Sequence, residues 1–501
     1  MKFNAKSMIV NHEGAEAFSL GAEMELFSAV ASTFVGDAFY EHEDERLNRI
    51  QSLVRRVSPV FVAKLAVYAR RQMNLRSIPL VLTIELAKIH QGDDLVARVV
   101  REVVQRPDEI TELLAYYQSS NGRKGEKKLY SLSKQLHKGL AAAFNRFDEY
   151  QFAKYDRAGD VMLRDALFLV HPKAKDQTQQ ALFDKIARRE LATPYTWETE
   201  ISVLGQMGFD SPEARRAAIA AQWEALIDSQ KIGYMALLRN LRNILQAGVS
   251  ANHIRKVGEY LADPEAVRQS KQLPFRFLAA YRELKSIQTG STPYLMDVLE
   301  RALQQSTASL PGFDIDTRLV IACDVSGSMQ KAVSARSKVL LYDIGLLMGM
   351  LLQSKCTHVL SGIFGNTWKT VALPTQGVLS NVDAWYAQEG SVGYATNGHL
   401  VIEDLIAKKY VADKVMMFTD IQLWNSQTGT DSVAKKWSAY KKIAPRARLY
   451  LFDLAGYGQA PLRVNGDDVY LIAGWSDKVW MTLQSMEKGA GALDQVKQID
   501  L

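Results

Sequence analysis

The residues with the clearest chemical potential stand in one short run, Asp324-Val325-Ser326-Gly327-Ser328. A carboxylate and two hydroxyls occupy every second position, so all three can turn toward one point. Oxygen donors of this kind suit a hard divalent cation. Mg²⁺, or Mn²⁺ in its place, takes near-octahedral geometry and keeps part of its water. One carboxylate with hydroxyls leaves the ion positively charged and one position open to an acidic group from outside. Two later loops extend the set. Thr396 lies in GYATNGH just before an expected helix, and Asp420 ends VMMFTD. Read alone, the first run could equally be a serine-rich loop capping the next helix.

The elements around these residues must bring three loops to one edge. TRLVIACD, residues 317–324, is a buried-strand run that delivers Asp324 at its end. A long apolar helix is expected over 333–352. HVLSGIFG and KTVAL read as strands, 398–409 as a helix, DKVMMFTD as a strand, and 432–443 as a helix. ARLYLFDL and DVYLIAG follow as strands, and 477–488 as a helix. Strand and helix in alternation predict a mainly parallel, Rossmann-like sheet wrapped by helices. Its sites lie beyond the carboxyl ends of the strands. Asp324, Thr396 and Asp420 all fall at such strand–helix junctions. Asp-x-Ser-x-Ser, then Thr, then Thr-Asp, each in that context, resembles the metal-ion-dependent adhesion site of von Willebrand factor A domains. The resemblance covers roughly residues 316–490. It implies that Asp324, Ser326, Ser328 and Thr396 bind metal directly or through water, and Asp420 through water.

Residues 1–305 read as helix after helix, and 306–501 as the α/β domain. The polar stretch STASLPGFDID joins them. Ser58-Pro59, Ser211-Pro212 and Asp263-Pro264 look like helix starts: the polar residue can cap, and proline at the first helical position loses no hydrogen bond. Phe61, Leu65 and Tyr68 recur at three- to four-residue intervals on one face. Stacked helix pairs, an α-solenoid, are the natural architecture. At 501 residues, 47% hydrophobic and 23% charged, the chain has the composition of a soluble globular protein of two or three domains. The N-terminus lacks the apolar core of a secretory signal, and no apolar run is long enough to suggest a spanning helix. Cys323 and Cys356 stand outside metal-ligand spacing. A cytoplasmic location with free thiols and no membrane contact is expected.

A formal charge of +6 permits a polyanion partner without demanding one. Basic clusters are therefore the place to look. Arg123, Lys124, Lys127 and Lys128 share a glycine-containing loop. Arg164, His171 and Lys173 lie in MLRDALFLVHPK, and Arg239, Asn240 and Arg242 in MALLRNLRN. Lys and Arg neutralise phosphates, and Asn can pair with base edges. Each cluster has a bland reading too: a solvated loop, or polar residues bracing helices whose Met235, Leu238 and Leu241 form the core stripe.

The segments LAVYARRQMNLRSIPLVLTIELA, LRDALFLVHPKAKD, KIGYMALLRNLRNI and KQLPFRFLAAY, followed by an A domain, resemble the Ro (TROVE) family across nearly the whole chain. That resemblance implies HEAT-like repeats closed into a monomeric ring. It implies that single-stranded 3′ ends of misfolded RNAs enter the hole and that Y-like noncoding RNA binds outside. Bacterial members of this size work with polynucleotide phosphorylase in RNA decay. Phe168, one turn after Arg164, departs from the family by standing where other members carry a second basic residue. The leading expectation is thus a non-enzymatic RNA-binding scaffold. The alternative is a metal-dependent protein-adhesion module on a helical docking scaffold. Catalysis is disfavoured: phosphoryl transfer needs a second acid or a phosphate-binding lysine, and the sequence places neither. GxxxxGK[ST] and HExxH are absent from it.

Overall fold

The computed structural model describes residues 8–10, 16–31, 45–121, 132–272, 274–306, 313, 315–332, 339–423, 432–455, 459–462, 468–473 and 492–501. Internal contacts divide the chain into two compact units. One comprises Val35–Asp210 with Leu493–Leu501, the other Met1–Phe34 with Ser211–Ala492.

The first unit is helical, and each helix packs on neighbours close in sequence, as expected of a solenoid. Helix Pro59–Arg71 buries Phe61, Leu65 and Tyr68 as their spacing predicts. Its interior also holds charge. Arg70 bonds Glu109 at 2.7 Å and the Val103 carbonyl at 3.0 Å. Glu109 in turn accepts from the Gln105 and Arg106 N–H groups. Both carboxylate oxygens are answered, which is the condition for burying such a pair. The last residues return to this unit. The Tyr68 hydroxyl donates to Gln495 at 2.9 Å and Lys64 Nζ to the Lys497 carbonyl at 2.6 Å.

The second unit combines helices from Pro212 to Ser306 with the sheet domain. Ser211 and Asp263 cap their helices with side-chain bonds to Ala214 N and Ala266 N, each followed by proline. Nine strands are described: β1 Met8–Val10, β2 Glu16–Ser19, β3 Arg318–Asp324, β4 His358–Phe364, β5 Trp368–Thr370, β6 Lys414–Thr419, β7 Arg448–Asp453, β8 Gln459–Ala460 and β9 Val469–Ala473. Six form a sheet in the order β5-β4-β3-β6-β7-β9, parallel except for β5. This is the doubly wound order, and its switch point lies between β3 and β6. Val320, Ala322, Val415, Met417 and Leu451 share one buried face with helices His399–Ala407 and Val433–Tyr440. Helix Leu341–Gln353 covers the other face, where a Cβ on Gly349 would press on Ile321 at 2.8 Å.

Departures from the sequence reading are local. The helix expected over 333–352 begins at Leu341, because Ala332 and Leu340 pair as a bridge and Asp343 Oδ2 caps Leu340 N. Residues 333–338 and the helix expected over 477–488 lie outside the described residues. Helix Val378–Tyr386 was not legible: it starts on Gly377 at φ 77°, and its first N–H groups are capped by Glu300 from a distant helix. The antiparallel set β1-β2-β8 was also missed, being built of strands too short for periodicity to register.

Candidate metal centre and basic surfaces

Asp324 ends β3 and Asp420 follows β6, so the two carboxylates flank the switch point. Both side chains are buried, as are Ser326 and Thr396, while Ser328 is half-buried. Asp324 Oδ1 accepts from Ser326 N at 2.9 Å, which curls the loop back on its own aspartate. The Ser326 and Ser328 hydroxyl oxygens are 3.2 Å apart. Asp420 Oδ1 accepts from Gln422 N at 3.0 Å. Ile421 between them holds φ 65°, a left-handed conformation that a β-branched residue rarely adopts and that marks a constrained site.

The loop carrying Thr396 is fastened to the first loop by Gly327 N, which donates to the Tyr394 carbonyl at 3.3 Å. It is fastened to the end of β4 by Asn397 N, donating to Gly365 O at 3.1 Å, and by Ala395 N on Asn366 Oδ1. Gly365 permits this approach. A Cβ there would collide with the Gly393 backbone and lie 2.9 Å from the Val392 carbonyl oxygen. Gly365→Ala is therefore expected to destabilise the sheet domain by about 1–3 kcal/mol, the usual range for overpacking. An unfolding midpoint equal to wild type would show that the loop yields instead.

Two buried oxygens in this site, Thr396 Oγ1 and Asp420 Oδ2, have no hydrogen-bond partner. An unsatisfied buried oxygen is costly, and two beside a second carboxylate fit a cation-binding role. Burial pushes the Asp324 carboxyl up, and the neighbouring Asp420 charge pushes it further. Burial also raises Asp420, partly opposed by hydrogen bonds from the Ser328 hydroxyl and the Gln422 N–H. A divalent ion would reverse both effects by supplying the opposing charge. Among the described residues no three His, Cys, Asp or Glu side chains gather as a metal set. The donors here are two carboxylates and three hydroxyls, a combination suited to Mg²⁺ or Mn²⁺ rather than to softer metals.

Thr419 was not among the expected site residues. It is buried, and its hydroxyl donates to Asp324 Oδ2 at 2.7 Å while accepting from Ile421 N at 3.1 Å. Its role is to orient Asp324 across the switch point. The sequence signal was its position next to Asp420, which a search for direct ligands passes over.

The expected RNA-facing residues separate. Arg123, Lys124, Lys127 and Lys128 lie outside the described residues. Arg164, His171 and Lys173 belong to the first unit, and all three are exposed. Arg164 Nε donates to the Ala187 carbonyl at 2.7 Å, and its guanidinium lies 5.2 Å from the ring of Phe168, itself 49% exposed. His171 ends helix Leu163–Val170 at φ 43°, and Asn145 pins the following segment through Lys173 O and Lys175 N. Arg239, Asn240 and Arg242 belong to the second unit. Arg239 and Arg242 face outward, and Arg242 pairs with Glu283 at 2.9 Å. Asn240 is buried, donating to Ala236 O and accepting from Asn243. Its amide braces the helix.

Among the described residues no helix is long and apolar enough to cross a membrane. Comparison with known proteins places this geometry in context. Telomerase protein component 1 of Rattus norvegicus is 26% identical over 341 residues, covering 52% of this chain and 12% of that protein. The Mus musculus protein of the same name is 26% identical over 315 residues, covering 47% and 12%. The chain thus matches only a small part of those relatives. The crystal structure of the Deinococcus radiodurans RO (RSR) protein superposes with a TM-score of 0.60 at 18% identity, covering 94% of this chain and all of that one. It shares the fold: helical repeats followed by an A-like sheet domain. The TROVE domain matches at residues 24–201 and 187–308, together more than half of the sequence, and the chain belongs to the TROVE domain family.

Proposed function

We propose that this chain is a Ro-like RNA-binding scaffold that receives single-stranded 3′ ends of misfolded noncoding RNAs and also holds a structured, Y-like RNA. The observation that carries the reading is the TROVE match over the helical region. The outward-facing Arg164, His171, Lys173, Arg239 and Arg242 support it. These side chains would take phosphates, while Phe168 offers a ring for a base to stack on. In this reading the protein acts as a cytoplasmic monomer in RNA quality control or decay, with polynucleotide phosphorylase as the nuclease it serves. Asp324, Ser326, Ser328, Thr396 and Asp420 would hold Mg²⁺ or Mn²⁺. The ion would supply a positive charge with room for an outside acidic ligand.

RNA with a free single-stranded 3′ tail is expected to bind at least about tenfold tighter than the same duplex made blunt, since unpaired bases can stack and expose their edges. Gel shifts with a matched tailed and blunt pair measure this. Equal affinities would rule out recognition of the 3′ end and leave only contacts with duplex or backbone.

A further inference from the structure

Three parallel strands of the sheet begin on a basic residue and end at an aspartate. β3 runs from Arg318 to Asp324, β6 from Lys414 to Thr419 with Asp420 next, and β7 from Arg448 to Asp453. They are in register, with Leu319 opposite Lys414 and Lys414 opposite Arg448. The sheet is therefore acidic at its carboxyl edge, where the candidate metal centre lies, and basic at its amino edge. Six residues at about 3.3 Å each separate the two edges by roughly 20 Å.

The basic edge opens into a cavity of about 550 Å³ lined by Asp413, Lys414, Lys441, Arg446, Arg448 and Asp468. Among the described lining residues four cations face two acids, and both acids are engaged. Asp413 Oδ2 accepts from Arg318 N at 2.8 Å. Asp468 Oδ2 accepts from the Trp437 indole at 3.2 Å and lies 3.4 Å from Lys441 Nζ. Lys414, only 8% exposed, forms the floor, with its ammonium 4.5 Å from the Phe313 ring and 5.8 Å from that of Tyr450. Ring faces attract a cation there. Arg446 projects into solvent with no acidic partner among the described residues. The chain leading to the cavity is basic: residues 432–448 contain Lys435, Lys436, Lys441, Lys442, Arg446 and Arg448 and no acid, with Lys436 paired to Glu403 at 3.3 Å. A concave site with excess positive charge concentrates anions.

We infer that this cavity is a phosphate-binding site through which the sheet domain grips the backbone of a bound RNA strand. It is distinct from the metal centre at the opposite edge of the sheet, and it rests on the RNA-binding reading. Lys441, Arg446 and Arg448 would each take phosphate oxygens, with Lys414 adding charge from below. The described lining residues include no aromatic ring or side-chain amide. A contact made through phosphates alone is indifferent to base sequence.

The test is binding of a single-stranded RNA to the full chain at several salt concentrations. Arg446→Gln should flatten the log–log salt slope by about 0.7 and weaken binding roughly eightfold at 50 mM salt. Lys441→Gln combined with Arg446→Gln should flatten it by about 1.4. Lys408→Gln, on an exposed helix end elsewhere in the domain, serves as the charge-matched control and should leave the slope unchanged. Arg446 is exposed, so the single variant keeps its fold, which thermal denaturation checks. If wild type binds RNA and both cavity variants match it in affinity and slope, the cavity takes no backbone and the inference falls while the RNA-binding reading stands. A wild type that binds no RNA at any salt concentration overturns both.

Discussion

Arg282→Ala is expected to destabilise the unit containing the sheet domain by about 3–5 kcal/mol, the cost of removing one partner from a buried ion pair. Asp343 is fully buried. Arg282 grips it with two parallel bonds of 2.7 Å from helix Pro274–Lys285, far away in sequence. The guanidinium also lies 5.6 Å from the Tyr386 ring, which stacks on Tyr342 at 5.2 Å. Nε sits 3.3 Å from Asp383, which Lys285 holds at 2.7 Å. Truncation would leave the Asp343 charge buried and answered by the Leu340 N–H at 2.8 Å, a poor substitute for a guanidinium. Arg282→Lys should recover only part of the loss, because an ammonium cannot reproduce the bidentate fork. Arg282→Met with Asp343→Leu should recover most of it, since apolar replacement of both partners removes the desolvation penalty. Denaturant unfolding followed by tryptophan fluorescence reads the effect. A change under about 1 kcal/mol for Arg282→Ala would mean the pair is solvated and its bonds contribute little.

The pair also reaches the candidate metal centre. Asp343 caps the helix whose first residue, Leu341, donates to the Lys331 carbonyl at 2.9 Å. That bond ties down Lys331, three residues after Ser328.

Asp324→Asn is expected to weaken Mg²⁺ or Mn²⁺ binding by at least about tenfold while leaving the sheet domain folded. Even outer-shell changes at metal sites cost tenfold or more, and Asp324 would be a direct ligand carrying the charge. Folding should survive because the substituted amide keeps an oxygen that can accept from Ser326 N or the Thr419 hydroxyl, as Asp324 does at 2.9 and 2.7 Å. The change also removes one of two neighbouring buried carboxylates, a pairing that is unfavourable without an ion. Calorimetric titration of both proteins with each metal measures the difference. Equal heats and affinities would refute the assignment of Asp324 as a ligand, and a variant that fails to fold would show that the buried carboxylate itself holds the sheet domain together. RNA affinity should be unchanged in the variant, because the basic residues proposed to hold RNA lie on other elements.

By itself the sequence determined the succession of elements and pointed to the residues of the candidate metal centre. Asp324, Ser326, Ser328, Thr396 and Asp420 were all legible because strand runs and loop residues are local signals, and alternation fixes which loop each strand delivers. Helix starts at Pro59, Pro212 and Pro264 were legible for the same reason: proline acts on its own backbone and its nearest carbonyls. The tertiary structure alone decided what depends on distant partners. Thr419 became the residue that orients Asp324 only because β3 and β6 lie side by side, ninety-five positions apart in sequence. Asn240 has the same residue type as an RNA-reading side chain, and burial on its helix turned its amide inward. Helix Val378–Tyr386 depends on a cap from Glu300, which no local pattern announces. The basic edge of the sheet emerged in the same way. Arg318, Lys414 and Arg448 are scattered along the chain, and only parallel pairing in register sets their charges side by side.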